Sequence, residues 1–300
     1  MATLSVIIGT RNRLELLKKC LEALIGAITV DHEIVVVDAG STDGTLEYVR
    51  QLSGIRLVCD GEPIGQAQSL NRVFQTVTGD YVCWISDDNI VQPGALDLAA
   101  EILEGHPDVG MIALKVKDVT GLYTYLPYMG AIWPTGILTC NQGVLRTPLF
   151  KSVGGFDEAF RDYGIDVDLT AKVLLAGYKV AHTKMVAIHH HRDHQTAPGA
   201  IANDQRAGRL TAAGELYRRK YAHLLPIPFI DRLKQPFREM AWFAVQVARK
   251  LLGAETVLGY NMSDWSNVLH GRYIDDFDLW INKEKPFYLI QRIPDALLRQ

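Results

Sequence analysis

Four short runs of nearly unbroken apolar character, each followed by a segment of helical spacing or a turn, occupy the first ninety residues of this chain. They are Leu4-Ser5-Val6-Ile7-Ile8, Glu33-Ile34-Val35-Val36-Val37-Asp38, Ile55 to Cys59, and Tyr81 to Ile85. Between them Leu14, Leu17, Leu21, Leu24 and Ile25 recur at helical spacing. Ser41-Thr42-Asp43-Gly44-Thr45 turns into a helix carrying Leu46, Tyr48 and Val49, and Ala67 to Val77 reads as a third helix. Strands that are apolar on both faces need covering on both faces, which connecting helices provide for a mostly parallel sheet. The expected class is α/β, with ligands bound beyond the carboxyl ends of the strands.

Those strand ends are polar. The first gives Thr10-Arg11-Asn12, the second Asp38 followed by Ser41 to Asp43, and the fourth Ser86-Asp87-Asp88-Asn89. Carboxylates that close a buried strand are costly unless a positive group sits beside them, and a hard divalent cation carrying a phosphorylated ligand would suit. The competing expectation is structural. Asp87, Asp88 and Asn89 would cap a helix beginning near Pro93, Asn12 and Asp43 would cap others, and Gly40 and Gly44 would serve turns. Neither the Gly-x-Gly-x-x-Gly dinucleotide fingerprint nor the Walker phosphate loop follows the first strand, so an ordinary dehydrogenase and a P-loop NTPase are disfavoured.

Composition narrows the partners. With 300 residues, 48% hydrophobic and 22% charged, the chain is globular and long enough for one large or two smaller cores. A net charge of -3 argues against a nucleic-acid partner. Cys20, Cys59, Cys83 and Cys140 lack CxxC spacing, which suggests neither zinc nor a disulfide framework, and reduced buried thiols are expected. The first strand begins almost at once, without a basic region and signal-like core, and no run approaches the roughly 18 apolar residues of a membrane span. The expected location is cytoplasmic, or peripheral at the inner face of the cell membrane.

Five motifs in order carry a resemblance. Ser5-Val6-Ile7-Ile8-Gly9-Thr10-Arg11-Asn12-Arg13, Val36-Val37-Asp38-Ala39-Gly40-Ser41-Thr42-Asp43-Gly44-Thr45 and Ser86-Asp87-Asp88-Asn89 resemble the nucleotide-sugar motifs of family 2 glycosyltransferases with the GT-A fold. Gly154-Gly155-Phe156-Asp157-Glu158, then Tyr163-Gly164-Ile165-Asp166-Val167-Asp168-Leu169 closing with Ala176-Gly177-Tyr178, resemble that family's acceptor-side segment. The similarity covers about residues 3 to 195. It implies a GT-A (Rossmann-like), mostly parallel central sheet flanked by helices, in a catalytic domain over 1–195. The nucleotide-sugar half would be 1–95 and the acceptor half 96–195, with a mainly helical extension over 196–300.

The resemblance also implies roles. Thr10, Arg11 and Asn12 would line the base and ribose pocket with Asp43 nearby, Asp38 would bond the base, Asp87 would contact the ribose, and Asp88 would bind Mg2+ or Mn2+ on the diphosphate. Asp166 matches the general base of an inverting transfer, its structural alternative being an acidic first turn shared with Asp168. Ser86 stands where the first acid of the usual Asp-x-Asp motif falls, and Ile165 replaces the acid that often precedes the base, so a raised carboxyl pKa at Asp166 is one expected consequence. In that family a histidine near the end of the acceptor segment often completes the metal shell or contacts the diphosphate. In a strand His189 and His191 share one face and His190 the other, and which faces inward is not written in the sequence; His189 and His191 are assigned to the metal with Asp88.

The implied partners are a UDP, dTDP or GDP sugar and a glycan or lipid-linked acceptor, as in bacterial-type surface polysaccharide synthesis. The alternatives are a catalytically silent nucleotide- or glycan-binding subunit and a sugar-nucleotide pyrophosphorylase. Tyr123, Tyr125, Tyr128 and Trp133 could line an acceptor groove or pack the sheet. Residues 232–252 mix Met240, Trp242, Phe243 and Val247 with Arg232, Lys234, Arg238, Arg249 and Lys250. They suit a basic amphipathic helix at a membrane surface, or a helix packed on the catalytic domain or in a homodimer.

Overall fold

The computed structural model describes residues 2–120, 127–133, 135–192 and 203–226. It also describes 233, 236–237, 240, 243–244, 247, 256–257, 260–261, 272–274 and 287–298. In chain order the elements are β1 (Leu4–Thr10), α1 (Leu14–Ala27), β2 (His32–Asp38), α2 (Thr45–Arg50), β3 (Ile55–Cys59), α3 (Gln66–Phe74), β4 (Tyr81–Ser86) and β5 (Asn89–Val91). After them come α4 (Ala95–Gly105), β6 (Val109–Asp118), β7 (Pro127–Tyr128), β8 (Gly143–Arg146), α5 (Thr147–Ser152), a 3-10 turn at Glu158–Phe160, α6 (Ile165–Leu175) and β9 (Lys179–His190). The remainder comprises α7 (Asn203–Tyr221), β10 (Thr256–Val257), β11 (Tyr260–Asn261), β12 (Phe287–Gln291) and α8 (Asp295–Leu298).

The main sheet runs β12-β9-β6-β8-β4-β1-β2-β3, with β5 and β7 pairing to β9 and β6 off that path. Strands β4, β1, β2 and β3 are mutually parallel, as the unbroken apolar runs require. The second half is mixed: β8 lies antiparallel between β4 and β6, whereas β6 and β9 are parallel. The antiparallel strand β12 comes from a segment in which the sequence shows no motif, and it sits beside β9 in the main sheet.

Alternation along β1 sorts the two cores. Leu4, Val6 and Ile8 turn toward α1 and α4, while Ile7 turns toward α3, α5, α6 and α7. Leu17, Leu21 and Leu24 of α1 are buried as their spacing predicts, but Leu14 is only half-buried and Ile25 is 58% exposed, just outside the stripe. From the C-terminal part, Tyr217, Tyr221 and Leu225 enter the same core as α6. Cys20, Cys83 and Cys140 are buried free thiols, and Cys59 corrects the expectation of burial by lying exposed at the end of β3. No helix among the described residues is long and apolar enough to cross a membrane.

Candidate active site

Register brings the strand-end residues together. Thr10 pairs with Asp38 across β1 and β2, and Gly9 pairs with Ser86 across β1 and β4. The buried Thr10 hydroxyl donates to Asp87 Oδ2 at 2.8 Å, so the first and fourth strand ends are joined by a side chain as well as by the ladder.

Asp38 is fully buried. Its Oδ1 accepts from the backbone N–H groups of Gly40 (3.0 Å) and Ser41 (2.8 Å), whereas its Oδ2 is buried without a hydrogen-bond partner among the described residues. That loop needs a glycine at 40: φ is +81°, and a Cβ there would run into the Gly61 carbonyl oxygen. Asn12 Oδ1 accepts from Thr42 N–H at 2.7 Å, Asn12 N–H donates to Ser41 Oγ at 2.8 Å, and Asp43 Oδ2 accepts from Leu14 N–H at 3.0 Å. Asn12 and Asp43 therefore tie the β1 and β2 loops together, with Asp43 holding the start of α1. Arg11 is exposed at the rim.

Asp87 and Asp88 do not cap a helix. Residues 89–91 form β5, α4 begins only at Ala95 after Gly94, and both carboxylates turn inward. Arg13 Nη1 lies 3.0 Å from Asp87 Oδ1 and 3.2 Å from Asp88 Oδ2. Burial pushes the Asp87 carboxyl up to about 6, with Arg13 opposing the shift and Asp88 adding to it. Arg13, named in the motif without a role, is thus the positive group that the strand end demanded.

Pairing of β5 with β9 sets Asn89 against His190. His190 Nε2 lies 3.3 Å from Asp88 Oδ1, and the ring is buried. Burial disfavours its charged form, but hydrogen bonds to Asp118 and Asp88 outweigh this and raise its pKa above the ordinary value. Among the described residues the histidine ring in contact with Asp88 is that of His190, while the Asp88 charge also acts on the His191 ring. His191 reaches Asp88 through its backbone N–H, which donates to the Asp88 carbonyl at 2.8 Å, and His189 pairs in register with Ile90. Asp118, at the end of β6, was not singled out in the sequence. It closes a buried apolar strand as Asp87 does, and that was the available signal.

Asp166 lies in the first turn of α6. Gly164 precedes the helix at φ +84°, and a Cβ there would press on Phe160 and Ala213. Asp166 keeps part of its surface exposed, yet burial around the carboxyl raises its pKa to about 6 against the opposing pull of the Val167 and Asp166 backbone N–H groups. Asp168 is fully buried, with Oδ1 accepting from Lys220 Nζ (2.6 Å) and the Tyr221 hydroxyl (2.7 Å), and Oδ2 lying 3.1 Å from Lys172 Nζ.

The aromatic residues between the motifs divide. Tyr128 donates to Asp118 and lies under Arg192, so it belongs beside the Asp88 cluster. Trp133 packs on Tyr217 at 5.1 Å, while Tyr123 and Tyr125 lie outside the described residues. Within 232–252 only Leu233, Pro236, Phe237, Met240, Phe243, Ala244 and Val247 are described, each helical; Trp242 and the five basic positions lie outside.

A mixed sheet with parallel first strands, helices on both faces and acidic groups at the strand ends defines a GT-A-type α/β protein. The family model for glycosyl transferase family 2 matches residues 5–157, and the chain belongs to that family. An uncharacterized protein of Sinorhizobium fredii is 26% identical over 239 residues, covering 67% of this chain and 26% of its own length. The N-acetylglucosaminyl-diphospho-decaprenol L-rhamnosyltransferase of Mycobacterium tuberculosis is 26% identical over 207 residues, 54% of this chain and 67% of its own. The chain thus spans about a quarter and two thirds of these relatives. Among solved structures, a mannosyltransferase from Pyrobaculum calidifontis in complex with GDP-Man and Mn2+ aligns at TM-score 0.56 and 22% identity, over 89% of this chain and 83% of its own, a likeness of fold.

Proposed function

We propose that this chain transfers one sugar from a nucleoside-diphosphate sugar to a hydroxyl of a glycan or lipid-linked acceptor, with inversion at the anomeric carbon. The observation that carries the reading is the convergence of Thr10, Asp38, Asp87 and Asp88 on three adjacent parallel strand ends, with a buried Asp38 oxygen that has no donor among the described residues. An orphaned buried carboxylate oxygen is costly, and a nucleobase N–H would satisfy it. Thr10, Arg11 and Asn12 would border the base and ribose, Asp43 would hold their loop, and Asp87 would meet the ribose.

The residues also fit a magnesium or manganese ion. Among the described residues no three His, Cys, Asp or Glu side chains are grouped to hold one, but such ions commonly take one or two protein ligands and complete their shell with substrate phosphates. Asp88 and His190 would be those ligands, and Arg13 holds the compensating positive charge between Asp87 and Asp88. When bound, the ion would offset charge on the departing diphosphate. Asp166 would take the proton of the acceptor hydroxyl as its oxygen bonds to the anomeric carbon. The bond from that carbon to the phosphate oxygen breaks on the opposite face, and the nucleoside diphosphate leaves with the electron pair.

The acceptor class draws support from the decaprenol-linked substrate in the name of the M. tuberculosis relative and from an exposed stripe. Leu233, Phe237, Met240, Phe243 and Val247 are exposed, Phe237 to 72% and Met240 to 69%. In sequence they are interleaved with Arg232, Lys234, Arg238, Arg249 and Lys250 against the single acid Glu239. Apolar and basic residues in this mixture suit an anionic bilayer surface, which we propose as the partner of this stripe.

A thermal-shift screen of UDP, GDP and dTDP, each with manganese and with EDTA, tests the donor site. One nucleotide is expected to stabilise the chain only with metal, since selective binding to the native state raises its stability. Absence of a shift with all three at millimolar concentration would overturn the reading in favour of a silent subunit.

A further inference from the structure

Asp118 is buried at the end of β6 and lies in none of the family motifs. It is in parallel register with His190 of β9, and the Val119 N–H donates to the His190 carbonyl at 3.0 Å, so the two backbones are pinned side by side. Its Oδ1 lies 3.1 Å from His190 Nδ1 and accepts from the Tyr128 hydroxyl at 3.1 Å. Its Oδ2 is in ion-pair contact with Arg192 Nε at 2.8 Å, misaligned for a hydrogen bond, and Arg192 Nη2 donates to the Tyr128 hydroxyl at 2.9 Å.

A histidine ring turns about a broad χ2 torsion, and the approach of Nε2 to Asp88, 3.3 Å, is longer than that of Nδ1 to Asp118, 3.1 Å. The second nitrogen must be anchored if the first is to stay aimed. We propose that Asp118 is a positioning residue: by holding Nδ1 it keeps Nε2 of His190 directed at Asp88 and at the place of the donor diphosphate and its ion. Tyr128 and Arg192 in turn hold Asp118, so a β6–β7–β9 brace built from three strands supports one ligand nitrogen. This inference rests on the donor-site reading above. Carboxylates in this relation to a ligating imidazole commonly contribute 10- to 100-fold in metal affinity.

Two measurements on the full chain test it. In the first, long-range proton–nitrogen spectra of histidine-labelled protein, with the His190 signals assigned by their loss in His190→Gln, report which ring nitrogen carries the proton. Asp118→Asn is expected to change the Nδ1 signal, and Tyr128→Phe to change it less while keeping the fold. Unchanged ring signals in folded Asp118→Asn would overturn the proposal. In the second, free Mn2+ is followed by electron paramagnetic resonance with inorganic pyrophosphate as the probe. Asp118→Asn is expected to weaken retention about 10- to 100-fold in the wild-type background and not at all in the His190→Gln background. Equal losses in both backgrounds would show that Asp118 acts by another route. If the wild-type chain retains no Mn2+, the metal assignment falls, while the ring spectra still decide whether Asp118 orients His190.

Discussion

Asp166 and Asp168 sit two residues apart in the first turn of α6 and meet opposite surroundings. Asp168 is surrounded by donors: Lys220 and Tyr221 reach across from α7, Lys172 from the next turn, and Lys220 also holds Asp157 at 2.7 Å. Asp166 has no ion pair among the described residues, and burial lifts its pKa to about 6. One helix turn thus carries a carboxylate used up as a fastener and another left able to take a proton. Residue type and helix position are shared, so the difference comes from what neighbouring elements bring.

The largest expected effect separates the two by turnover. Asp166→Asn should lower kcat by about 10²- to 10⁴-fold, the usual contribution of a positioned general base, while the nucleotide-induced thermal shift stays unchanged. Turnover within tenfold of wild type would remove Asp166 from catalysis.

The pH profile comes next. With a carboxyl near 6 required in its ionised form, kcat/KM should fall about tenfold per unit below pH 6 and level off above it. The stability sign is opposite. The native state holds a proton that the unfolded chain, with an ordinary carboxyl near 3.8, has released, so the stability contributed here declines as pH rises from about 4 to 6. The Asp166 share of this stability slope should disappear in Asp166→Asn, leaving the share of Asp87, whose carboxyl is likewise raised to about 6.

Asp168→Asn should spare the chemistry and weaken the fold. Two amines and a hydroxyl lose their charged partner, at a cost of about 3 kcal/mol, the lower end for a buried pair because the lysines keep some solvent. Calorimetry should show Tm falling by roughly 5 °C, with turnover of the folded protein reduced less than tenfold. An unchanged Tm would mean that α7 is not fastened here. The smallest effect is that of Tyr221→Phe, about 1.5 kcal/mol for one hydrogen bond to a charged group, read in the same scan.

The first half of the sheet was legible in the sequence because parallel strands buried on both faces leave unbroken apolar runs, and β1 to β4 fall within two residues of their expected bounds. The gathering of Thr10, Asp38, Asp87 and Asp88 follows from that topology alone. The histidine was harder. Strand β9 shifts register against β6 in three places, so counting by twos from Met185 does not say which ring meets Asp88. Asp118 could be suspected as an acid closing an apolar strand, but its partners lie at Tyr128, His190 and Arg192, up to 74 positions away. Strand β12 is short and preceded by Lys283-Glu284-Lys285-Pro286, and its pairing with β9 makes it a strand.

That late strand sets a schedule for synthesis. Gln291 of β12 exchanges two side-chain hydrogen bonds with the backbone of Leu138, at 2.8 and 2.7 Å, and its own strand lies along β9. A ribosome adding 5–20 residues per second needs about 5–20 s to travel from the end of β9 to β12. Throughout that interval the nascent chain carries an open sheet edge at β9 and an unmatched Leu138 backbone, both able to pair with another chain. The clock of elongation therefore governs how long this protein is exposed to its own copies on a polysome, and slowing translation after codon 190 lengthens that exposure in proportion.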